Sequence, residues 1–194
     1  MRHLLMSSLR RHRSQLLLAF LLVGAVAIYL WWNSRMEQSQ DNPIHVAAAR
    51  YGVEPALVKA VVWQESRFNP SVRGRAQELG LMQIREEAAQ EWADAEHING
   101  FEHAHCLDPQ TNTLAGTWYL KKLIKRYGQT DNPVAYALAD YNAGRGNVLK
   151  WNMGEAATNS AVFIEQIGFP GTKAYVKSVM QRYERYRLIF AGQN

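Results

Sequence analysis

The sequence predicts a mainly α protein with one N-terminal transmembrane helix, and three features of the chain support that expectation. Apolar residues recur at steps of three and four, the spacing of one helix face, in segments that open on Asx-Pro and close on glycine. No run of alternating apolar and polar residues is long enough for a strand. Residues 16–32, L-L-L-A-F-L-L-V-G-A-V-A-I-Y-L-W-W, are apolar without a break. With 194 residues, 47% hydrophobic and 20% charged, the chain is long enough for one well-buried domain of ordinary size.

Residues 1–15 form a basic head holding Arg2, Arg10, Arg11 and Arg13 and no acidic residue. The formal charge of +5 belongs to that head, because the rest of the chain has 18 basic against 17 acidic residues. A near-neutral remainder leaves no basis for a nucleic-acid partner. The apolar run that follows, 16–32, reaches roughly 25 Å as a helix, near the lower limit for a bilayer. Trp31 and Trp32 at its far end suit the membrane interface, and the arginines before it are expected to stay cytoplasmic. A cleaved signal peptide is the competing reading, but the small-residue step Ala25-Val26-Ala27 falls inside the apolar run instead of after it. Residues 33–42 are polar and read as a tether.

The remaining residues, 43–194, read as one helical domain. Asn42-Pro43 opens a helix that Gly52 closes, and a second runs through Val58, Val61 and Val62 toward a stop forced by Asn69-Pro70. Asp108-Pro109 starts a stretch with Leu114, Trp118, Leu120, Leu123, Ile124 and Tyr127 at helical spacing, ended by Gly128. Asn132-Pro133 opens another, carrying Ala137 and Tyr141 and ending near Gly144, and a last one starts after Thr172 and runs to Phe190. The lone cysteine, Cys106, excludes an intrachain disulfide, so the core alone must provide stability.

Glu65 stands out within this pattern. Val58, Val61 and Val62 lie seven, four and three positions before it, so a helix puts its carboxyl on the apolar stripe and close to the C-terminal end. Desolvation and the negative end of the helix dipole both disfavour the anion there. A carboxyl kept neutral near pH 7 is suited to general acid catalysis.

Four blocks in order enlarge that reading: Glu65-Ser66-Arg67-Phe68-Asn69-Pro70, Gly80-Leu81-Met82-Gln83-Ile84, Tyr141-Asn142-Ala143-Gly144, and Phe163-Ile164-Glu165-Gln166-Ile167 followed by Phe169-Pro170 and Thr172 to Val176. Together they resemble the signature of the soluble-type lytic transglycosylases (SLT domain). The resemblance covers the domain and not the anchor, and it implies a lysozyme-like fold with a groove for peptidoglycan glycan strands; with the apolar run it gives the expectation of a bacterial protein whose domain lies on the periplasmic or wall side of the inner membrane. It implies that Glu65 first protonates the bond between N-acetylmuramic acid and N-acetylglucosamine. As a carboxylate it then takes the proton of the C6 hydroxyl, which closes onto C1 to leave a 1,6-anhydro end. Met82 and Gln83 carry over as groove wall and sugar contact, Tyr141 and Asn142 as cleft lining, and Glu165 and Tyr175 as further site residues. No cofactor is required.

One departure opens an alternative. Gln77-Glu78-Leu79 stands where the family has a small Gly-Ala pair, so Glu78 brings a second carboxylate to a loop near the groove. Facing Glu65 it would favour hydrolysis, a muramidase reaction, and paired with Arg73, Arg75 or Arg85 it would be structural. A non-catalytic peptidoglycan-binding assembly protein is the other alternative, and an envelope-machinery partner is compatible with the small size. His103, His105 and Cys106 crowd into H-A-H-C with no complementary distant pair, which does not match a usual zinc site, so no metal is expected.

Overall fold

The computed structural model describes residues 2–192, with side chains from residue 15 onward. The arginine side chains of the basic head, and the last two positions of the expected domain, lie outside the described residues. The chain divides into two units, Met1–Ser39 and Gln40–Asn194.

The first unit is a single helix, α1 (Arg2–Gln38). It runs through most of the segment expected to be a tether, because Arg35, Met36, Glu37 and Gln38 are good helix formers and neither proline nor glycine interrupts them. An 18-residue window within it has a mean hydropathy of 2.0 and none of it is buried, so the helix is long and apolar enough to cross a membrane.

The second unit contains α2 (Asp41–Tyr51), α3 (Pro55–Ser66), α4 (Glu86–Ala95), α5 (Pro109–Arg126), α6 (Pro133–Ala143), α7 (Arg145–Trp151), α8 (Ser160–Gln166) and α9 (Pro170–Ala191). Among the described residues there is no strand, only isolated bridges joining Arg73 to Leu79 and Leu79 to Ile84. The expected punctuation operates as chemistry predicts. Proline opens α3, α5, α6 and α9, and the Asp108 carboxylate caps α5 by accepting the Thr111 N–H at 2.8 Å. Gly52 closes α2 in the left-handed region at φ 61°.

The end of α3 differs from the expectation. The helix stops at Ser66, before Asn69-Pro70, because Arg67 and Phe68 both turn left-handed at φ 53° and 64°. The Arg67 guanidinium then lies over the Trp63 ring at 3.1 Å, a ring that Arg182 also covers at 3.5 Å. Such contacts offset the cost of a non-glycine residue in that conformation.

Helix α3 packs on α9, α5 packs on α2, α4 and α6, and α6 packs on α9. Helices α3 and α6 are buried almost all round, through Ala56 to Val62 and Ala135 to Asp140. Leu81, Leu120, Leu123, Leu138, Val176 and Val179 fill the space between them, each fully buried. Full burial of such side chains contributes about 1.5–3 kcal/mol apiece before the entropy of ordering them is subtracted. Tyr136 stacks between Tyr127 and Phe163, with ring centroids 5.7 Å and 4.0 Å away, and donates its hydroxyl to the Ala156 carbonyl.

Between α3 and α4 the chain crosses the core as a long loop, and buried Asn112 of α5 pins it. The Asn112 carboxamide oxygen accepts the Met82 N–H at 2.7 Å, and its amide donates to the carbonyls of Leu79 and Cys106 at 2.8 Å and 2.7 Å. Gly80 is required at the crossing, since its φ is 72° and a Cβ there would collide with the Asn112 amide and the Cys106 carbonyl.

Candidate active site

A cleft of about 510 Å³ opens between that loop, α4, α5 and the end of α6. The last turn of α3 brings Glu65 to it. Glu65 is partly buried, and the Tyr175 hydroxyl from α9 donates to its Oε1 at 2.6 Å. Burial pushes the Glu65 carboxyl up from 4.5 to about 7, the Tyr175 hydrogen bond pulls it partly back, and the negative charge of Glu78 adds to the rise. One face of the carboxyl is therefore held by a phenol and the other opens to the cleft, the arrangement of a positioned proton donor.

Tyr141 lines the same cleft from the end of α6. Its hydroxyl donates to the Met82 carbonyl at 2.7 Å, and its ring packs against Tyr119 with centroids 5.7 Å apart. Burial, and then the charge of Glu65, keep the phenols of both Tyr141 and Tyr175 protonated. Asn142 lines the wall with its side-chain oxygen fixed by the Thr172 hydroxyl at 2.7 Å. Gln83 lines the floor at φ 45°, its amide donating to the carbonyls of Val72 and Gly80 at 3.1 Å and 2.9 Å.

Two residues stand elsewhere than the sequence leads one to expect. Met82 is not groove wall: its side chain is fully buried against Gly116, where a Cβ would come within 2.5 Å of the Met82 sulfur. It serves the cleft through its backbone carbonyl, which holds Tyr141. Glu165 is not among the lining residues. Phe163 and Ile167 take the inward positions of that segment, and Glu165 faces outward to Lys177 and Lys173 at 2.8 Å and 3.5 Å. Tyr175, the other further site residue expected, lies behind Glu65, 6% exposed, and touches the acid.

Glu78 does line the cleft, and its carboxylate is already engaged. It accepts the Ala76 N–H at 2.9 Å and pairs with Arg85 at 3.2 Å. Burial raises its pKa, but those backbone and arginine contacts outweigh burial and leave it below the ordinary carboxylate value. The carboxyls of Glu65 and Glu78, which line one cavity, are thus pushed in opposite directions.

Tyr119, Glu87 and Glu91 also line the cleft, and nothing in the local sequence singles them out; Asp140 lines it too. Asp140 is 2% exposed, pairs with Arg126 at 2.6 Å and accepts from Tyr127. It directly precedes the Tyr141-Asn142 block, which is the one signal in the sequence that points to it. His103 meets the Ile84 carbonyl at 3.0 Å, His105 accepts the Glu102 N–H, and Cys106 is buried, so the three serve separate local contacts.

Among the described residues the domain is helical and brings a raised carboxyl, Glu65, to a polar cleft, an arrangement suited to general-acid chemistry. The chain belongs to the transglycosylase SLT domain family, whose model matches residues 42–164. It is 37% identical over 142 residues to the soluble lytic murein transglycosylase of Escherichia coli (strain K12), covering 72% of this chain and 21% of that protein. Over 136 residues it is 36% identical to the membrane-bound lytic murein transglycosylase C of Yersinia pestis (strain Pestoides F), covering 66% of this chain and 37% of that one. The chain therefore spans well under half the length of these relatives. Among solved structures it resembles lytic transglycosylase Slt from Pseudomonas aeruginosa, crystallised as an inactive Glu-to-Gln mutant, with a TM-score of 0.73, 25% identity and coverage of 81% and 25% of the two chains. It also resembles the 70 kDa soluble lytic transglycosylase of Escherichia coli, with a TM-score of 0.68, 30% identity and coverage of 77% and 24%.

Proposed function

We propose that this chain is a peptidoglycan lytic transglycosylase that cleaves the β-1,4 bond between N-acetylmuramic acid and N-acetylglucosamine and leaves a 1,6-anhydro end. The observation that carries the reading is Glu65, whose carboxyl burial lifts to about 7 at the edge of a glycan-sized cleft. Neutral, it donates its proton to the glycosidic oxygen, while the acetamido group of the substrate supports the charge growing at C1. Now an anion, it is stabilised by the Tyr175 hydroxyl and accepts the proton of the C6 hydroxyl as that oxygen closes onto C1. The neutral and charged forms must be close in energy for one group to perform both steps, and a pKa near neutrality meets that requirement.

Hydrolysis is the less favoured reading. Glu78 is tied to Arg85 and to a backbone N–H, which suits fixed negative charge near the reaction better than activation of water. The placement we propose is a single-pass anchor through the apolar part of α1 in the inner membrane, with the domain on the periplasmic side. The similarity to a membrane-bound relative supports it. Tyr141, Asn142 and Gln83 are proposed to contact the sugars.

Mass spectrometry of muropeptides released by the purified protein is the test. The expected products carry 1,6-anhydro-muramic acid, and Glu65→Gln lowers their yield by about 10²–10⁴-fold. Reducing-end muramic acid from the wild type would assign the reaction to hydrolysis, and undiminished release by Glu65→Gln would remove Glu65 from the mechanism.

A further inference from the structure

A second groove, of about 630 Å³, is lined by Arg50, Tyr51, Glu96, Trp118, Lys121, Lys122 and Lys125. It shares a wall with the catalytic cleft, because Glu91 on the cleft side is ion-paired to Lys122 on the groove side. Side chains of opposite sign predominate in the two linings. Glu65, Glu78, Glu87, Glu91 and Asp140 line the cleft against one cation, Arg85, whereas four cations line the groove against one carboxylate, Glu96.

The floor of the groove is fixed. The Trp92 indole N–H donates to the Tyr51 hydroxyl at 2.8 Å, Tyr51 donates to Glu96 at 3.0 Å, and Arg50 pairs with the same carboxylate. Lys121 donates to the Gly52 carbonyl at 2.8 Å, which leaves its positive charge without an acidic partner. Among the described residues the exposed Lys125 ammonium has no hydrogen-bond or carboxylate partner, and the half-buried Trp118 ring, earlier on the same helix, lines the groove with these lysines.

We infer that this groove binds the carboxylate-rich peptide stems of the same glycan strand whose sugars occupy the cleft. The inference rests on the proposed substrate. Stems hang from the muramic lactyl group and carry several carboxylates, which the acidic cleft repels and the basic groove next to it attracts. Uncharged sugars and charged stems are thereby sorted into separate cavities. Trp118 offers an apolar face for the stem backbone, and Lys121 and Lys125 offer charge-assisted hydrogen bonds.

The test uses the full chain in detergent with glycan strands bearing stems, strands stripped of stems, and a free tripeptide stem (L-alanyl-γ-D-glutamyl-diaminopimelate). Wild type is expected to prefer stem-bearing strands by about tenfold in kcat/KM, Lys125→Glu to bring that ratio to about one, and Lys125→Arg to restore it. Tryptophan fluorescence is expected to report saturable tripeptide binding that Lys125→Glu and Trp118→Phe both remove. A wild-type ratio of about one, or an equal loss on both strand types in Lys125→Glu, would overturn the groove. Fluorescence also separates the two readings. Tripeptide binding lost in Lys125→Glu, from a protein that yields no anhydro product, keeps the groove and discards the reaction, while anhydro product without tripeptide binding discards the groove alone.

Discussion

Glu65 is a destabilising residue at neutral pH, and that cost is measurable. The folded protein holds its proton up to about pH 7, whereas the unfolded chain releases it near 4.5. Folding takes up a proton in that window, so the contribution of Glu65 to stability falls as pH rises from about 4.5 to about 7. Glu65→Gln is therefore expected to be more stable than wild type at about pH 8 by up to roughly 3 kcal/mol, with the gain vanishing near pH 4. Urea unfolding at the two pH values checks this, and an unchanged difference between them would contradict it. The position of Glu65 is legible in the sequence because its valines precede it by helical steps. Its Tyr175 partner is legible only through the family blocks, since no spacing rule connects residues on α3 and α9. Glu87, Glu91 and Tyr119 are not legible, because α4 and α5 bring them together only through tertiary packing.

At the scale of elements, Asx-Pro starts and glycine stops locate α2, α5 and α6 closely, since those signals act within one turn of the chain. The short α4, α7 and α8 leave little trace in the sequence, because seven to ten residues give too little periodicity to separate a helix from a loop. The stop of α3 departs from its sequence signal for a different reason: Arg67 turns left-handed over the Trp63 ring, which Arg182 of α9 also covers, and that second contact has no local signal. The loop joining α3 to α4 depends on Asn112, one side chain making three buried hydrogen bonds. Asn112→Leu strands the Met82 N–H and two carbonyls, and is expected to cost about 3 kcal/mol or more. Because the Met82 carbonyl holds Tyr141, activity is expected to fall more than stability alone explains. Thermal melts paired with product assays check both, and a loss of stability with full activity in the folded fraction would contradict the link.

Across the whole molecule, composition separates a basic, apolar N-terminal segment from a near-neutral domain, and the two structural units divide at Ser39 and Gln40, close to that change. The helix outlasts the apolar run by several residues because α1 continues past the last tryptophan on helix propensity alone. Within the domain, charge is distributed unevenly: acidic in the cleft, basic beside it, and close to balance overall. The Glu78 carboxylate in the same cleft reinforces the effect of burial on Glu65, so that packing and a neighbouring charge together raise the proton affinity of one side chain. A ¹³C NMR titration of the glutamate carboxyls in the full chain, with Glu65→Gln to assign the resonance, measures that directly. The Glu65 midpoint is expected near pH 7, and higher still in Tyr175→Phe, where the anion loses its donor. A midpoint at the ordinary glutamate value of about 4.3 in both proteins would contradict the account.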